Sequence, residues 1–303
     1  MRVAVYGSGG VGGYFGARLA AAGNEVHFIA RGAHLQAMRD KGLRVESGLG
    51  DLHLKNPDLH ETPSAIGPVD VVLFAVKLWD VEAVARQLRP LLHERSIVIP
   101  FQNGIEAPDI LKKNISPAQV VGGVAYIATG IKAPGVILHT GTMQRLLVGP
   151  SAEDFARACK AAGINVEQPA DIDRARWEKF VFLVGLSGVT ALARRPVGAC
   201  RADAELRATL EAAMAETWRL GRKRGVALED GFVAERMRFV DTLHPDMRTS
   251  LQHDLDNGNR LEAPWLCGAV ARMSREAGLD APVNRTIYAA LRPFVDGPAS
   301  KTA

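Results

Sequence analysis

The opening stretch, Met1-Arg-Val-Ala-Val-Tyr-Gly-Ser-Gly-Gly-Val-Gly12, constrains the fold of this chain more than any other segment. Arg2 to Tyr6 is short, apolar and β-branched, as befits a strand buried on both faces of a parallel sheet, and Gly10 to Ala22 is rich in small helix formers. Between them Gly7, Gly9 and Gly12 fit G-x-G-x-x-G. The first glycine permits the tight turn, the second lets a pyrophosphate approach the backbone, and the third lets helix and strand pack closely. N–H groups at the helix start then face the phosphates. A second strand-like run, Glu25 to Ile29, follows in order. The sequence therefore predicts a βαβ dinucleotide cradle in which Gly7, Ser8, Gly9, Gly10, Val11 and Gly12 meet the cofactor.

The end of the second strand usually carries an acid when the ligand is NAD; here Arg31 stands in its place, followed by Gly32 and His34. A guanidinium suits the 2′-phosphate of NADP, the alternative being an exposed loop arginine. Leu43 to Glu46 and Asp51 to Leu54, bridged by Gly48 and Gly50, are expected to form a hairpin. Val69 to Val76 reads as another buried strand ending in Lys77, either a solvated cap or a contact for a phosphate or carboxylate. A helix is expected from Asp80 to Leu92 and a strand from Ser96 to Pro100, leading into Gln102-Asn103-Gly104. Gln119 to Ala128, Gly135 to His139 and Arg145 to Gly149 read as strands separated by glycine turns, and Ala152 to Ala162 as a helix. Beyond Asp171 the pattern is helical: Ala204 to Arg224, Asp230 to Thr242, Leu261 to Ala277 and Val283 to Leu291. Two domains are expected, 1–170 and 171–303.

At 303 residues and 47% hydrophobic content, the chain can bury two cores. Its pI near 9.0 does not imply nucleic acid, because Lys and Arg are interspersed with acids and no basic, aromatic stripe is present. Small anions explain the charge better. Cys159, Cys200 and Cys267 are far apart with no C-x-x-C, which argues against a disulfide framework and a zinc knuckle; no metal site is expected, and a reducing cytoplasm fits. The apolar run Phe180 to Leu192 is too short to span a bilayer and reads as a buried helix, so no membrane association is expected. On the helix that starts near Arg174, Lys179, Leu183, Ser187 and Thr190 recur at helical spacing and share one face. Lys179 either snorkels to solvent or is partly buried, which would lower its pKa and suit it to proton transfer.

Several segments together resemble the ketopantoate reductases (2-dehydropantoate 2-reductases) over almost the whole chain: Gly7-Ser-Gly-Gly-Val-Gly12, Ala75-Val-Lys77, Gln102-Asn-Gly104, Pro134-Gly-Val-Ile-Leu-His139, Trp177-Glu-Lys179, Thr249-Ser-Leu-Gln-His-Asp254 and Arg260-Leu-Glu262. The resemblance implies an α/β fold, a Rossmann-type doubly wound parallel sheet followed by an all-α C-terminal domain, with NADP(H) in the cleft between them. It implies Lys179 as catalytic lysine, Glu262 as essential glutamate, Asn103 and Lys77 as cofactor and substrate contacts, Ser250 as a substrate-binding serine, and Ala128 as a backbone contact to the cofactor. Ser187 falls where the family usually presents a substrate-binding asparagine, and Leu183 replaces another. Pro264 and Cys267 are further departures from the pattern.

The implied reaction is NADPH-dependent reduction of a 2-oxo acid, 2-dehydropantoate to pantoate in pantothenate synthesis, by a cytoplasmic enzyme with a homodimer as a possible assembly. A different branched or larger 2-oxo acid is the alternative within this chemistry. A non-catalytic NADPH-sensing regulator is the alternative outside it, and the presence of both Lys179 and Glu262 speaks against that.

Overall fold

The structure is a computed structural model describing residues 1–297; residues 298–303, the end of the expected second domain, lie outside the described residues. The chain divides into two compact units, Met1–Gln102 with Glu106–Ala175, and Asn103–Ile105 with the chain from Arg176 onward.

In chain order the first unit contains β1 (Arg2–Tyr6), α1 (Gly10–Ala21), β2 (Glu25–Ile29), α2 (Gly32–Lys41), β3 (Leu43–Ser47), β4 (Leu52–Leu54), β5 (Asp58–His60), β6 (Val71–Phe74), α3 (Val81–Ala85), β7 (Ile97–Pro100), α4 (Ala107–Lys112), β8 (Gly123–Ala133), β9 (Val136–Val148), α5 (Glu153–Ala161) and β10 (Asn165–Glu167). Five of the strands form a parallel sheet in the order β5-β2-β1-β6-β7. β1 is central, and Val3, Val5, Leu73 and Phe74 are fully buried, which is why these runs are continuously apolar. The small residues of α1 have a packing reason: a Cβ at Gly16 would come within 2.7 Å of the Phe28 and Val5 side chains. A second sheet has the order β10-β9-β3-β4, with β8 paired to β9. The expected β3–β4 hairpin is present and antiparallel.

Three expectations need correction here. The helix expected over Asp80 to Leu92 is α-helical only over Val81–Ala85 and continues in tighter turns. Pro90 has no N–H for the helical ladder, and its ring crowds the preceding turn. The expected strands Gly135 to His139 and Arg145 to Gly149 are one strand, β9. Its register with β8 jumps from Ile127↔Gln144 to Thr129↔His139, so several β9 residues bulge, and Gly141 supplies a φ of +76° there. The glycine marks a bulge within a hairpin arm and ends no strand. β8 itself begins at Gly123, because Gln119 closes a short turn opened by Pro117.

The second unit is helical: α6 (Ile172–Ala193, entering from the first unit), α7 (Val197–Ala202), α8 (Ala204–Lys223), α9 (Phe232–Thr242), α10 (Ser250–Asp256), α11 (Cys267–Glu276) and α12 (Pro282–Leu291). Its core gathers Phe180, Val181, Val184 and Val189 of α6 with Leu210, Met214, Val270 and Ile287. The helix expected from Leu261 starts only at Cys267, after a short turn at Ala263–Trp265 that contains Pro264. Glu262 therefore lies outside any helix. The buried Glu216 carboxylate accepts hydrogen bonds from the backbone N–H groups of Val283 (2.8 Å) and Asn284 (2.9 Å) and from Asn284 Nδ2 (2.8 Å), satisfying the start of α12. The three cysteines are unbridged and buried. Among the described residues no helix is long and apolar enough to cross a membrane.

Candidate active site

The glycine turn after β1 has the geometry its sequence implies. Gly7 has φ +98°, and a Cβ there would lie 2.7 Å from the Val76 backbone nitrogen, so β1 and the end of β6 approach too closely for any side chain. At Gly12 a Cβ would fall 2.2 Å from the Gly7 carbonyl oxygen. Gly9 differs from both: its φ is −77°, and the nearest atom to an added Cβ, Ile131 Cδ1, is 4.0 Å away. Nothing within the protein requires glycine at that position. An open cradle that a methyl group would fill, at a helix start without a side-chain cap, fits a phosphate-bearing ligand. Val11 is half-buried in the same turn of helix. A Gly10 Cβ would lie 2.8 Å from the Thr129 carbonyl oxygen, which sets the exposed Ala128 beside the turn, at the point where the β8–β9 register shifts.

The Ser8 side chain is turned inward: its hydroxyl donates to the Ile29 carbonyl at 3.0 Å, and only its backbone faces the turn's other neighbours. His34 Nε2 donates to the Ser8 carbonyl at 2.9 Å while His34 Nδ1 accepts from the Gly135 N–H at 3.1 Å. Burial lowers the His34 pKa against the opposing pull of that carbonyl, so the ring is a neutral strut between glycine turn and hairpin. Arg31 follows β2, and its Nη2 lies 3.2 Å from Asp80 Oδ2. Lys77, exposed just beyond β6, lies over the Trp79 ring at 5.4 Å.

In the second unit, α6 projects Lys179 toward Asn103, whose Oδ1 accepts a hydrogen bond from Nζ at 2.9 Å. Burial pulls the Lys179 pKa down to about 8, and the Glu262 carboxylate acts in the opposite direction. The irregular backbone before Cys267 is thus what brings Glu262 within electrostatic range of the lysine. Farther along the same face of α6, Leu183 is half-buried against the core, and Ser187 is 1% exposed with a hydroxyl that lacks a hydrogen-bond partner. Thr190 Oγ1 lies 2.9 Å from Thr249 Oγ1, joining α6 to the N-cap of α10. Ser250 is exposed in the first turn of α10, whereas Gln252 is fully buried with neither amide atom partnered.

Residues 3–153 match the family model described as Ketopantoate reductase PanE/ApbA, and residues 171–295 match its C-terminal counterpart. The chain belongs to the ketopantoate reductase family. It is 31% identical over 301 residues to an uncharacterized oxidoreductase of Bacillus subtilis, covering 97% of this chain and 99% of that one. It is 30% identical to the 2-dehydropantoate 2-reductase of Archaeoglobus fulgidus, with 98% of each chain covered. A crystal structure of a PanE/ApbA family ketopantoate reductase from Ralstonia eutropha superimposes with a TM-score of 0.90 at 32% identity, covering 97% and 98% of the two chains. As a ketopantoate reductase family member, the chain is an oxidoreductase of the 2-dehydropantoate 2-reductase type with a Rossmann-like sheet and a helical C-terminal unit. Asp80 pairs with Arg31 and His34 with the Ser8 carbonyl, and neither had been singled out as a site residue from sequence. Arg31 and Asp80 are far apart in the chain, and no local motif marks their pairing.

Proposed function

We propose that this ketopantoate reductase family member reduces a 2-oxo acid to the 2-hydroxy acid with NADPH, and that 2-dehydropantoate is its first candidate substrate. The observation that carries this reading is the Lys179 ammonium, hydrogen-bonded to Asn103 and lowered by burial to about 8, with Glu262 near it. When bound, the reduced nicotinamide supplies the hydride. Lys179 stabilises negative charge growing on the substrate carbonyl oxygen and gives that oxygen its proton. Its lowered pKa makes it a stronger acid than an ordinary lysine yet leaves it mostly protonated at neutral pH. Glu262 favours the protonated ammonium, and Asn103 fixes its direction. The backbone of Gly7 to Gly12 and of Ala128, together with Lys77 and Arg31, holds the cofactor. Ser250 binds the substrate carboxylate, and Ser187 offers a hydroxyl to the substrate.

The partly buried, apolar Leu183 favours the second reading, a substrate with a larger apolar side chain. A steady-state panel of 2-oxo acids, followed by nicotinamide absorbance with NADPH and then NADH, tests both. Turnover with 2-dehydropantoate above all others supports the first substrate, and a preference for bulkier acids supports the second. No turnover with any 2-oxo acid would overturn the proposal.

A further inference from the structure

Two acid-x-histidine pairs, Glu25-Val-His27 and Asp58-Leu-His60, lie on neighbouring strands of the parallel sheet. Side chains two apart on a strand point to the same face. The register pairs His27 with Asp58 and Ile29 with His60, so all four side chains gather on one face where β5 forms the sheet edge. One donor atom from each of His27, Asp58 and His60 can be chosen so that all lie within 4.8 Å of one another.

Hydrogen bonds account for both His27 ring nitrogens and leave out one nitrogen of the cluster, His60 Nε2. Asp58 Oδ2 meets His27 Nδ1, and Asp58 Oδ1 is 3.0 Å from His60 Nε2. That second nitrogen is nevertheless buried without a hydrogen-bond partner, so the two atoms are close but not aligned as donor and acceptor. Behind His27, the Nε2 atom lies 3.1 Å from Glu25 Oε1, the carboxylate–histidine arrangement that orients an imidazole toward a metal. Arg2 Nε holds the same Glu25 oxygen at 2.9 Å, keeping that carboxylate in an outer position.

We propose that His27 Nδ1, Asp58 and His60 Nε2 form a binding site for a divalent cation of the zinc class, with Glu25 orienting His27 from outside. Two imidazoles and one carboxylate are a zinc-type donor set, and water completes the coordination. The cation ties the edge strand β5 to β2, whose last carbonyl, at Ile29, receives the Gly7 N–H at 3.3 Å and the Ser8 N–H at 3.2 Å.

The test uses full-length protein stripped with a chelator, dialysed against Zn²⁺ near neutral pH and assayed for bound metal, with Co²⁺ as a spectroscopic probe. The expected result is one cation per chain, a visible Co²⁺ ligand-field spectrum, and an unfolding midpoint raised by Zn²⁺. His60→Ala and Asp58→Asn should abolish all three, and Glu25→Gln should weaken affinity by about 10–100-fold. Glu25 is exposed, so that variant serves if a histidine or Asp58 variant fails to fold. No stoichiometric uptake by the wild type, uptake that survives in His60→Ala or Asp58→Asn, or wild-type affinity in Glu25→Gln would overturn the proposal.

Discussion

Replacing Asp80 by asparagine should tighten NADPH binding and leave NADH binding unchanged. Arg31 Nη2 and Asp80 Oδ2 are 3.2 Å apart, with side chains 66% and 31% exposed, so a 2′-phosphate that recruits Arg31 has to displace a carboxylate partner. Exposed ion pairs are worth about 0.2–1 kcal/mol, which corresponds to about 1.4–5-fold in Kd. Asp80→Asn should therefore improve NADPH affinity within that range, and the gain should shrink at high salt as the charges are screened. Asp80 caps no helix through its side chain, so the substitution removes charge without loosening α3. Arg31→Ala should act in the opposite direction: a charge-assisted contact worth about 1.5–3 kcal/mol is lost, or about 10–150-fold for NADPH alone. Fluorescence titration of each protein with both cofactors at two ionic strengths reads these effects. Equal losses for NADH and NADPH in Arg31→Ala, or weaker NADPH binding in Asp80→Asn, would refute the reasoning.

Three further outcomes are expected. Gly9→Ala should change stability by less than about 0.5 kcal/mol, because its methyl group would meet no protein atom closer than 4.0 Å, yet raise the Kd for NADPH more than tenfold (~10) by filling the phosphate cradle; thermal unfolding and cofactor titration separate the two. Leu183→Asn should shift kcat/KM toward hydroxylated 2-oxo acids by about 0.5–1.5 kcal/mol, as measured by competition between substrates; no shift would mean that Leu183 serves only the core. Glu216→Ala should destabilise the protein by about 3–5 kcal/mol, since it removes the acceptor for Val283 N–H and the Asn284 amides; urea unfolding within about 1 kcal/mol of wild type would contradict this.

The parallel sheet and the glycine turn were legible because both are set by local rules. A strand buried on two faces must be continuously apolar, and Gly12 is required by an approach of 2.2 Å to the Gly7 carbonyl oxygen inside a single βαβ unit. The elements misread from sequence depend on partners far along the chain. Gly141 looked like a turn because only the pairing of β8 with β9 reveals a bulge, and Glu262 looked helical because its apolar neighbours fit the period. The three-residue strand β5 is too short to show a pattern, so the meeting of His27, Asp58 and His60 was invisible until the register was known. Lys179 lay on a helix face readable from spacing, but its hydrogen bond to Asn103 joins residues 76 apart. Whether it snorkelled or was buried was undecidable without the fold.

The pH profile of kcat/KM for wild type and Lys179→Ala tests the central claim most directly. With its pKa lowered to about 8 by burial, Lys179 is protonated below that value and can act as acid, so wild-type activity should hold on the acid side and fall as pH rises through about 8. Lys179→Ala should lower kcat by roughly 10²–10⁴-fold, flatten that fall, and leave NADPH affinity little changed. Near-wild-type turnover in Lys179→Ala, or the same fall near pH ~8 with the lysine gone, would contradict the account.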